Sequence, residues 1–139
     1  MPHPPQPDRP KVGVAAFVLS PTSPSSILMG TRLSSHGTGT LQCPGGHLEH
    51  GETFAETAVR EVKEETGLEV GKVRFLTATN DVFAAAADGN KHYVTIFVVC
   101  EVISGDGVPR VSLRRRERER EGGKGISFFL VAKMTCFKT

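Results

Sequence analysis

Three glutamates on one predicted helix have the residue type and spacing of a site for a divalent cation. Glu61 and Glu65 are i,i+4 neighbours and Glu64 stands three residues after Glu61, so at about 100° per residue the carboxylates fall within an arc of roughly 100°. Like charges so close together repel one another, and a bound cation offsets that repulsion. Oxygen ligands that leave room for water and phosphate oxygens suit Mg²⁺, with Mn²⁺ as the other candidate. The alternative is a solvated acidic helix face partnered by Lys63 and Arg60.

The segment before this helix favours the metal site over the solvated face. Pro44, Gly45 and Gly46 precede it, and glycines let a backbone approach a ligand closely. Glu52 lies where its carboxylate could pair with Arg60. A solvated helix face needs neither feature, so we interpret the glutamates as a cation site.

From Gly46 to Leu68 the chain follows one pattern with fixed spacing. It reads G-x5-E-x7-R-E-U-x-E-E-x-G-U, where U is apolar, and the specified positions are Gly46, Glu52, Arg60, Glu61, Val62, Glu64, Glu65, Gly67 and Leu68. At average residue usage such a match arises by chance on the order of once in a billion starting points. The segment resembles the signature of the Nudix hydrolases.

That resemblance implies a division of labour. The implied metal ligands are Glu61, Glu64, Glu65 and the backbone carbonyl of Gly45. The arginine at position 60 would orient Glu61, and Glu52 would hold the loop–helix–loop through Arg60, which gives a catalytic set of Glu52, Arg60, Glu61 and Glu64. The implied reaction is attack of water on a phosphorus in X–P–O–P–Y, with the metal neutralising charge and lowering the pKa of the water.

The likeness continues outside the signature. Residues 41–53, 80–83 and 91–98 are similar to the MutT-homologue-2 branch of the family, which hydrolyses nucleoside triphosphates, including oxidised or thio-substituted guanine forms, to monophosphates. The resemblance implies that Gly46, His47 and Thr95 bind the substrate. His47 could instead stabilise its loop, and Thr95 could be an ordinary strand residue.

The elements that must position these residues form an α+β domain in the order β-β-α-β-β. Strands are predicted at 11–20, 27–33, 73–79 and 93–103, with the first two antiparallel, a turn at 21–26 and loops at 34–40 and 80–91. A capping box of Thr53 and Glu56 begins the helix and Gly67 ends it. Its predicted core face is Phe54, Ala55, Ala58, Val59 and Val62. The resemblance implies an αβα sandwich around a mixed sheet, and a homodimer.

The chain changes character after Ile103. Residues 114–121 are a run of five Arg and three Glu, and no tryptophan occurs where the family has a Trp-containing strand and a C-terminal helix. We therefore expect a Nudix domain at 11–103, incomplete at its C-terminus, a non-homologous tail at 104–139, and a disordered Pro-rich tail at 1–10. The apolar stretch 126–132 could instead supply a substitute strand.

Composition excludes several classes of function. The net charge of +2 comes from the Arg/Glu run, and the rest of the chain holds twelve basic and twelve acidic residues, so a nucleic-acid partner is not expected. No apolar run is long enough to span a membrane, and three widely spaced cysteines predict a reducing, cytoplasmic setting.

These features predict an enzyme whose partner is a small nucleotide. With Mg²⁺ it would cleave a nucleoside triphosphate to a monophosphate and a diphosphate. The alternatives are a truncated, non-hydrolytic nucleotide-binding module and an inactive splice product. Which nucleotide is used stays open, because the signature handles the diphosphate and not the rest of the molecule.

Overall fold

A computed structural model describes residues 9–32, 39–83, 91–104 and 126–132. The proline-rich residues 1–8 and most of the predicted C-terminal tail lie outside these ranges. The domain boundaries given above therefore stay predictions.

Seven strands and one helix make up the described part of the chain. The strands are β1 (Lys11–Ser20), β2 (Ser23–Arg32), β3 (Leu41–Gln42), β4 (Gly45–His47), β5 (Glu69–Phe83), β6 (Lys91–Ser104) and β7 (Ile126–Ala132), and α1 is Phe54–Thr66. No described helix is both long and apolar enough to cross a membrane.

The strands form one mixed sheet in the order β3-β2-β1-β6-β5, with β4 paired to β1 and β7 paired to β2. The first and sixth strands run parallel, and the remaining pairs, including the predicted pair β1–β2, are antiparallel. The predicted α+β class with a mixed sheet is confirmed. The described residues show one of the two helical layers that a sandwich implies.

Helix α1 begins and ends where the sequence predicts. Thr53 accepts from the Glu56 amide and Glu56 accepts from the Thr53 amide, which completes the capping box. Gly67 follows the last turn with φ of 76° and donates its N–H to the Lys63 carbonyl, a left-handed conformation that glycine adopts without strain.

The predicted core face of the helix is wrong at three of its five residues. Ala58 and Val62 are buried as expected, but Phe54 is 41% exposed, Val59 is 38% exposed and Ala55 is exposed as well. Their places against the sheet are taken by Thr57 and Thr66, which are fully buried. Polar side chains can enter a core when they are hydrogen-bonded. The hydroxyl of Thr66 donates to the Val62 carbonyl (2.6 Å), and that of Thr57 to Glu52 Oε2 (2.8 Å).

Several predicted boundaries are also wrong, because strand pairing overrides local turn signals. β2 already begins at Ser23, inside the predicted 21–26 turn, and β5 runs through Phe83, inside the predicted 80–91 loop. The β5–β6 ladder continues from Asn80↔Val94 to Phe83↔Lys91, so backbone hydrogen bonds extend both strands. Residues 33–38 and 84–90 lie outside the described ranges.

The apolar stretch at 126–132 does form a strand. β7 pairs antiparallel along β2, from Ser26↔Ala132 to Arg32↔Ile126. The substitute strand that the sequence allowed as an alternative at 126–132 is therefore present. It is the third strand that pairs with β2, besides β1 and β3.

The core lies between α1 and the central strands. Alternate residues of β1 (Val14, Ala16, Val18) face alternate residues of β6 (Ile96, Val98, Cys100), and all six are at most 8% exposed. Ala58 and Val62 of α1 belong to the same cluster. This packing fixes the helix over the sheet, with Arg60, Glu61 and Glu65 of its second half beside β4.

Candidate active site

Arg60 is the centre of a hydrogen-bond network that joins α1 to the loop before it. Its Nε and Nη2 donate to the two carboxylate oxygens of Glu52, at 2.7 and 2.9 Å. Its Nη1 donates to Glu61 Oε1 (2.6 Å), and Nη2 also donates to the His47 carbonyl (3.2 Å). Bidentate pairing of this kind fixes direction as well as distance. Arg60 therefore holds Glu61 and the loop in one arrangement.

The contacts between Arg60 and Glu52 keep both side chains charged. Hydrogen bonds from Arg60, then from Thr57 and from the Glu49 amide, lower the pKa of Glu52 to about 2 from an ordinary value of 4.5. The pKa of Arg60 is raised, chiefly by its hydrogen bonds to Glu52. Opposite charges favour each other's ionised form, so the pair persists across the pH range in which enzymes usually work.

The depressed pKa of Glu52 makes a prediction about stability in acid. A carboxyl that titrates near 2 when folded and near 4.5 when unfolded stabilises the fold above about pH 4.5, and this contribution is lost as the pH falls toward 2. We expect Glu52→Gln to melt below the wild type at neutral pH and the gap to narrow steadily below pH 4.5. Circular dichroism melts at several pH values measure it.

Glu64→Gln is the matched control for that measurement. Glu64 lies on the same helix, is exposed, and makes no hydrogen bond or ion pair within the described residues. The difference in melting temperature between Glu64→Gln and the wild type should stay small and should not change with pH. If the difference in melting temperature between Glu52→Gln and the wild type also stays constant with pH, the assigned role of the Glu52 carboxylate in stability is wrong.

The glycines of β4 bring the backbone against two of the glutamates. An added Cβ at Gly46 would overlap the carboxylate of Glu61, whose side chain is only 15% exposed. The amide of Gly45 donates to Glu65 Oε2 (3.3 Å). The amide of Ala16 donates to the Pro44 carbonyl, and the amide of Leu48 donates to the Val12 carbonyl. In an antiparallel pair every second residue points its backbone groups at the partner strand, so the carbonyl of Gly45 points away from β1. The loop backbone therefore lies against the side chains of Glu61 and Glu65, and its predicted approach to a ligand stays a prediction.

The three glutamates of the predicted arc do not share one direction. Glu61 faces Arg60 and Gly46, Glu65 faces Gly45, and Glu64 is exposed. In the part of the chain that the structure describes, no group of three or more His, Cys, Asp or Glu side chains is already gathered around one point. The donor set still fits a hard cation in its chemistry, since it consists of carboxylates and a backbone carbonyl within one loop and one helix.

Two of the three predicted substrate residues, His47 and Thr95, lie on one face of the sheet, beside the glycine loop. His47 pairs across β4–β1 with Gly13, and Gly13 pairs across β1–β6 with Thr95. The Nε2 of His47 is 3.3 Å from the hydroxyl of Tyr93, and Thr95 Oγ1 donates to Asp81 Oδ2 at 3.1 Å. The side chains of His47 and Thr95 are therefore separated by a residue that has no side chain.

Tyr93 and Asp81 were not singled out in the sequence. Both belong to segments that follow the family resemblance, but no spacing rule marks either as a site residue. Their positions depend on the register between β5 and β6, in which Asp81 stands opposite Tyr93. Only that long-range pairing identifies them.

The two cysteines that the structure describes, Cys43 and Cys100, take no part in this site. Burial raises the pKa of Cys43 to about 11 and that of Cys100 to about 12, so both thiols stay protonated and are poor metal ligands at neutral pH. Neither of these two forms a disulfide. The third cysteine, Cys136, lies outside the described ranges.

Comparison with known proteins places the chain in a family. The NUDIX domain model matches residues 9–129, from just before β1 into β7. The chain therefore belongs to the Nudix domain family.

Among curated proteins, an ADP-ribose pyrophosphatase from Methanocaldococcus jannaschii is 37% identical over 82 residues, 59% of this chain and 47% of that protein. An 8-oxo-dGTP diphosphatase from Proteus vulgaris is 33% identical over 69 residues, 50% of this chain and 62% of that protein. The chain thus spans less than two thirds of these relatives.

Solved structures share the fold. A MutT Nudix hydrolase from Burkholderia pseudomallei superposes with a TM-score of 0.64 at 24% identity, covering 88% of this chain and 84% of that one. A Nudix hydrolase from Nitrosomonas europaea gives 0.63 at 23% identity, over 87% and 72% of the two chains. At this identity the likeness is one of fold.

Proposed function

We propose that this chain is a metal-dependent hydrolase that cleaves a nucleoside triphosphate to a monophosphate and a diphosphate. The observation that carries the proposal is the Arg60 network, which presses Glu61 against Gly46 and ties the loop to the helix. A stabilising role alone would not require a carboxylate to be packed against a glycine backbone. The family membership supports the same reaction class.

In this proposal Glu61, Glu64, Glu65 and the Gly45 carbonyl hold Mg²⁺, or Mn²⁺ in its place. When bound, the cation supplies a nucleophilic water at neutral pH and neutralises charge on the phosphates. Arg60 and Glu52 position Glu61. The exposed carboxylate of Glu64 is open to approach from solvent, as a group near the attacking water must be.

The substrate would lie along the glycine loop. Gly46 lets the diphosphate approach the backbone, and His47 and Thr95 contact the nucleoside on the adjoining face of the sheet. Water attacks the α-phosphorus and loses a proton to solvent, and the bond from that phosphorus to the α,β-bridging oxygen breaks, so that the diphosphate leaves. The leaving oxygen carries the negative charge into the second product.

Two other functions compete with this one. The first is hydrolysis of ADP-ribose. One relative is named as an ADP-ribose pyrophosphatase and another as an 8-oxo-dGTP diphosphatase, and both compounds contain the P–O–P linkage described above. The second is a non-hydrolytic nucleotide-binding module. Residues beyond the metal site decide which substrates are accepted, so the metal site alone does not distinguish binding from hydrolysis.

A substrate panel with Mg²⁺ separates these possibilities. The purified chain is incubated with dGTP, 8-oxo-dGTP and ADP-ribose, with and without a chelator, and the products are resolved by ion-exchange chromatography. We expect metal-dependent release of a monophosphate from the triphosphates at higher kcat/KM than cleavage of ADP-ribose. Saturable nucleotide binding with no product would favour the binding module, and a preference for ADP-ribose would overturn the substrate class.

A further inference from the structure

Thr57 is a fully buried polar residue of α1 whose hydroxyl reaches the candidate site. Its exposed fraction is 0%, and its Oγ1 lies 2.8 Å from Glu52 Oε2 and 3.1 Å from the Thr53 carbonyl oxygen. A threonine hydroxyl has one hydrogen, and the charged carboxylate is both the nearer and the stronger acceptor. The hydrogen therefore goes to Glu52. The Nudix signature leaves position 57 unspecified, so nothing in the signature assigns this residue a role.

Three donors converge on Oε2 of Glu52, and they differ in how firmly each is held. Arg60 Nη2 donates at 2.9 Å, and the Glu49 amide donates at 3.2 Å. The Arg60 side chain is long and 24% exposed, and Glu49 is an exposed residue of the loop before α1. Thr57 has a short, β-branched side chain, and close packing in the core holds it in place. Its hydroxyl is therefore the one of these three donors that is fixed by the core.

The orientation of the Glu52 carboxylate is passed on to Glu61. Oε1 of Glu52 accepts from Arg60 Nε at 2.7 Å while Oε2 accepts from Nη2, and such bidentate pairing sets the plane of the guanidinium by the plane of the carboxylate. The same guanidinium donates Nη1 to Glu61 Oε1 at 2.6 Å. A rotation of the Glu52 carboxylate would therefore displace Glu61 through Arg60.

We propose that Thr57 is a positioning residue of this site, whose hydroxyl fixes the Glu52 carboxylate and, through Arg60, the place of Glu61. The inference rests on the proposed function for the role of Glu61 as a metal ligand. It adds a residue that touches neither the metal nor the substrate. Loss of a group that orients a metal ligand from outside lowers metal affinity or activity by about 10- to 100-fold.

Thr66 makes the hydrogen bond that a purely structural threonine of the helix would make. It is also fully buried on α1, and its hydroxyl donates to the Val62 carbonyl, four residues earlier, at 2.6 Å. Within the described residues the other partner of this hydroxyl is the Leu68 amide, at 3.2 Å. Thr57 and Thr66 thus share residue type, burial and helix, and differ in the carboxylate that Thr57 contacts. Thr66→Val is therefore the matched control for Thr57→Val.

Hydrolysis of dGTP as a function of free Mg²⁺ concentration is measured on the wild type, Thr57→Val, Thr57→Ser and Thr66→Val. In Thr57→Val the Mg²⁺ concentration for half-maximal rate should rise about tenfold or more, while the KM for dGTP at saturating Mg²⁺ changes by less than about twofold. Thr57→Ser keeps the hydroxyl and should stay within about twofold of the wild type, as should Thr66→Val. A general loosening of α1 would affect both valine variants alike.

The Nε–H of Arg60 reports the positioning directly, without metal or substrate. Its cross-peak in ¹H–¹⁵N correlation spectra is identified by its absence in Arg60→Lys. In Thr57→Val this hydrogen should exchange with water about tenfold faster than in the wild type, because its acceptor carboxylate is no longer held. Thr57→Ser and Thr66→Val should keep the wild-type shift and exchange rate.

Equal losses in Thr57→Val and Thr66→Val, or no recovery in Thr57→Ser, would overturn the inference and leave the proposed function standing. An inactive wild type would reject the proposed function, and the Arg60 signal would still decide whether Thr57 positions Arg60. If Thr57→Val does not fold, Thr57→Ala takes its place beside Thr57→Ser. Both of these remove the methyl group, and only alanine lacks the hydroxyl, so equal behaviour of the two would also overturn the inference.

Discussion

Replacing Glu65 by glutamine is expected to lower kcat by about a thousandfold or more while the protein stays folded. Glutamine keeps the shape of the side chain and an oxygen that can still accept the Gly45 amide, now 3.3 Å from Oε2. It removes the negative charge that a hard cation needs. The loss should therefore appear in the rate and in the Mg²⁺ concentration for half-maximal activity, with little change in the melting temperature.

Glu69→Gln is the control for that substitution. Glu69 is 53% exposed and pairs with Lys63, away from the glycine loop. Its loss should change kcat by less than about twofold, as exposed ion pairs contribute little. Should Glu65→Gln retain a tenth or more of the wild-type rate in Mg²⁺, the ligand assignment would be wrong.

Adjacent glycines in β4 should respond to alanine in opposite ways. At Gly46 the new methyl group overlaps the Glu61 carboxylate, the end of a side chain that can move. At Gly45 it overlaps the Val14 carbonyl and comes within 2.9 Å of the Ala15 Cα, which are backbone atoms of the central strand. The first clash is relieved by displacing a site residue, and the second only by displacing the sheet.

Gly46→Ala is therefore expected to stay folded and lose about a hundredfold in kcat/KM, because the Arg60–Glu61 contact of 2.6 Å is broken and misplacement by about 1 Å is costly in catalysis. Gly45→Ala is expected to lose its cooperative melting transition or to melt far below the wild type. Thermal melts and kcat/KM measured on both variants check the contrast. If Gly45→Ala and Gly46→Ala are equally stable and equally active, the packing described for the two glycines is wrong.

Local signals predicted the parts of this molecule that local chemistry determines. The capping box at Thr53 and the glycine at position 67 fix the ends of α1 through hydrogen bonds within a few residues. The pairing of Glu52 with Arg60 could also be predicted, since both belong to one signature with fixed spacing. The β1 strand followed from its apolar run.

The sequence was less informative where buried polar side chains or long-range strand pairing decide the outcome. The buried face of α1 includes Thr57 and Thr66 because Glu52 and a backbone carbonyl satisfy their hydroxyls, and no apolar pattern indicates that. The different surroundings of Gly45 and Gly46 depend on the register of β4 against β1. Asp81 acquires its threonine partners from the register of β5 against β6.

Product formation from dGTP as a function of Mg²⁺ concentration, followed by ³¹P nuclear magnetic resonance, tests the proposed metal site most directly. If Glu61, Glu64, Glu65 and Gly45 form a metal site for diphosphate cleavage, the chelated protein yields nothing. Added Mg²⁺ then gives a saturable rise in dGMP and diphosphate. Turnover that persists in chelator would rule out the metal site, and release of dGDP and orthophosphate would rule out cleavage to a monophosphate.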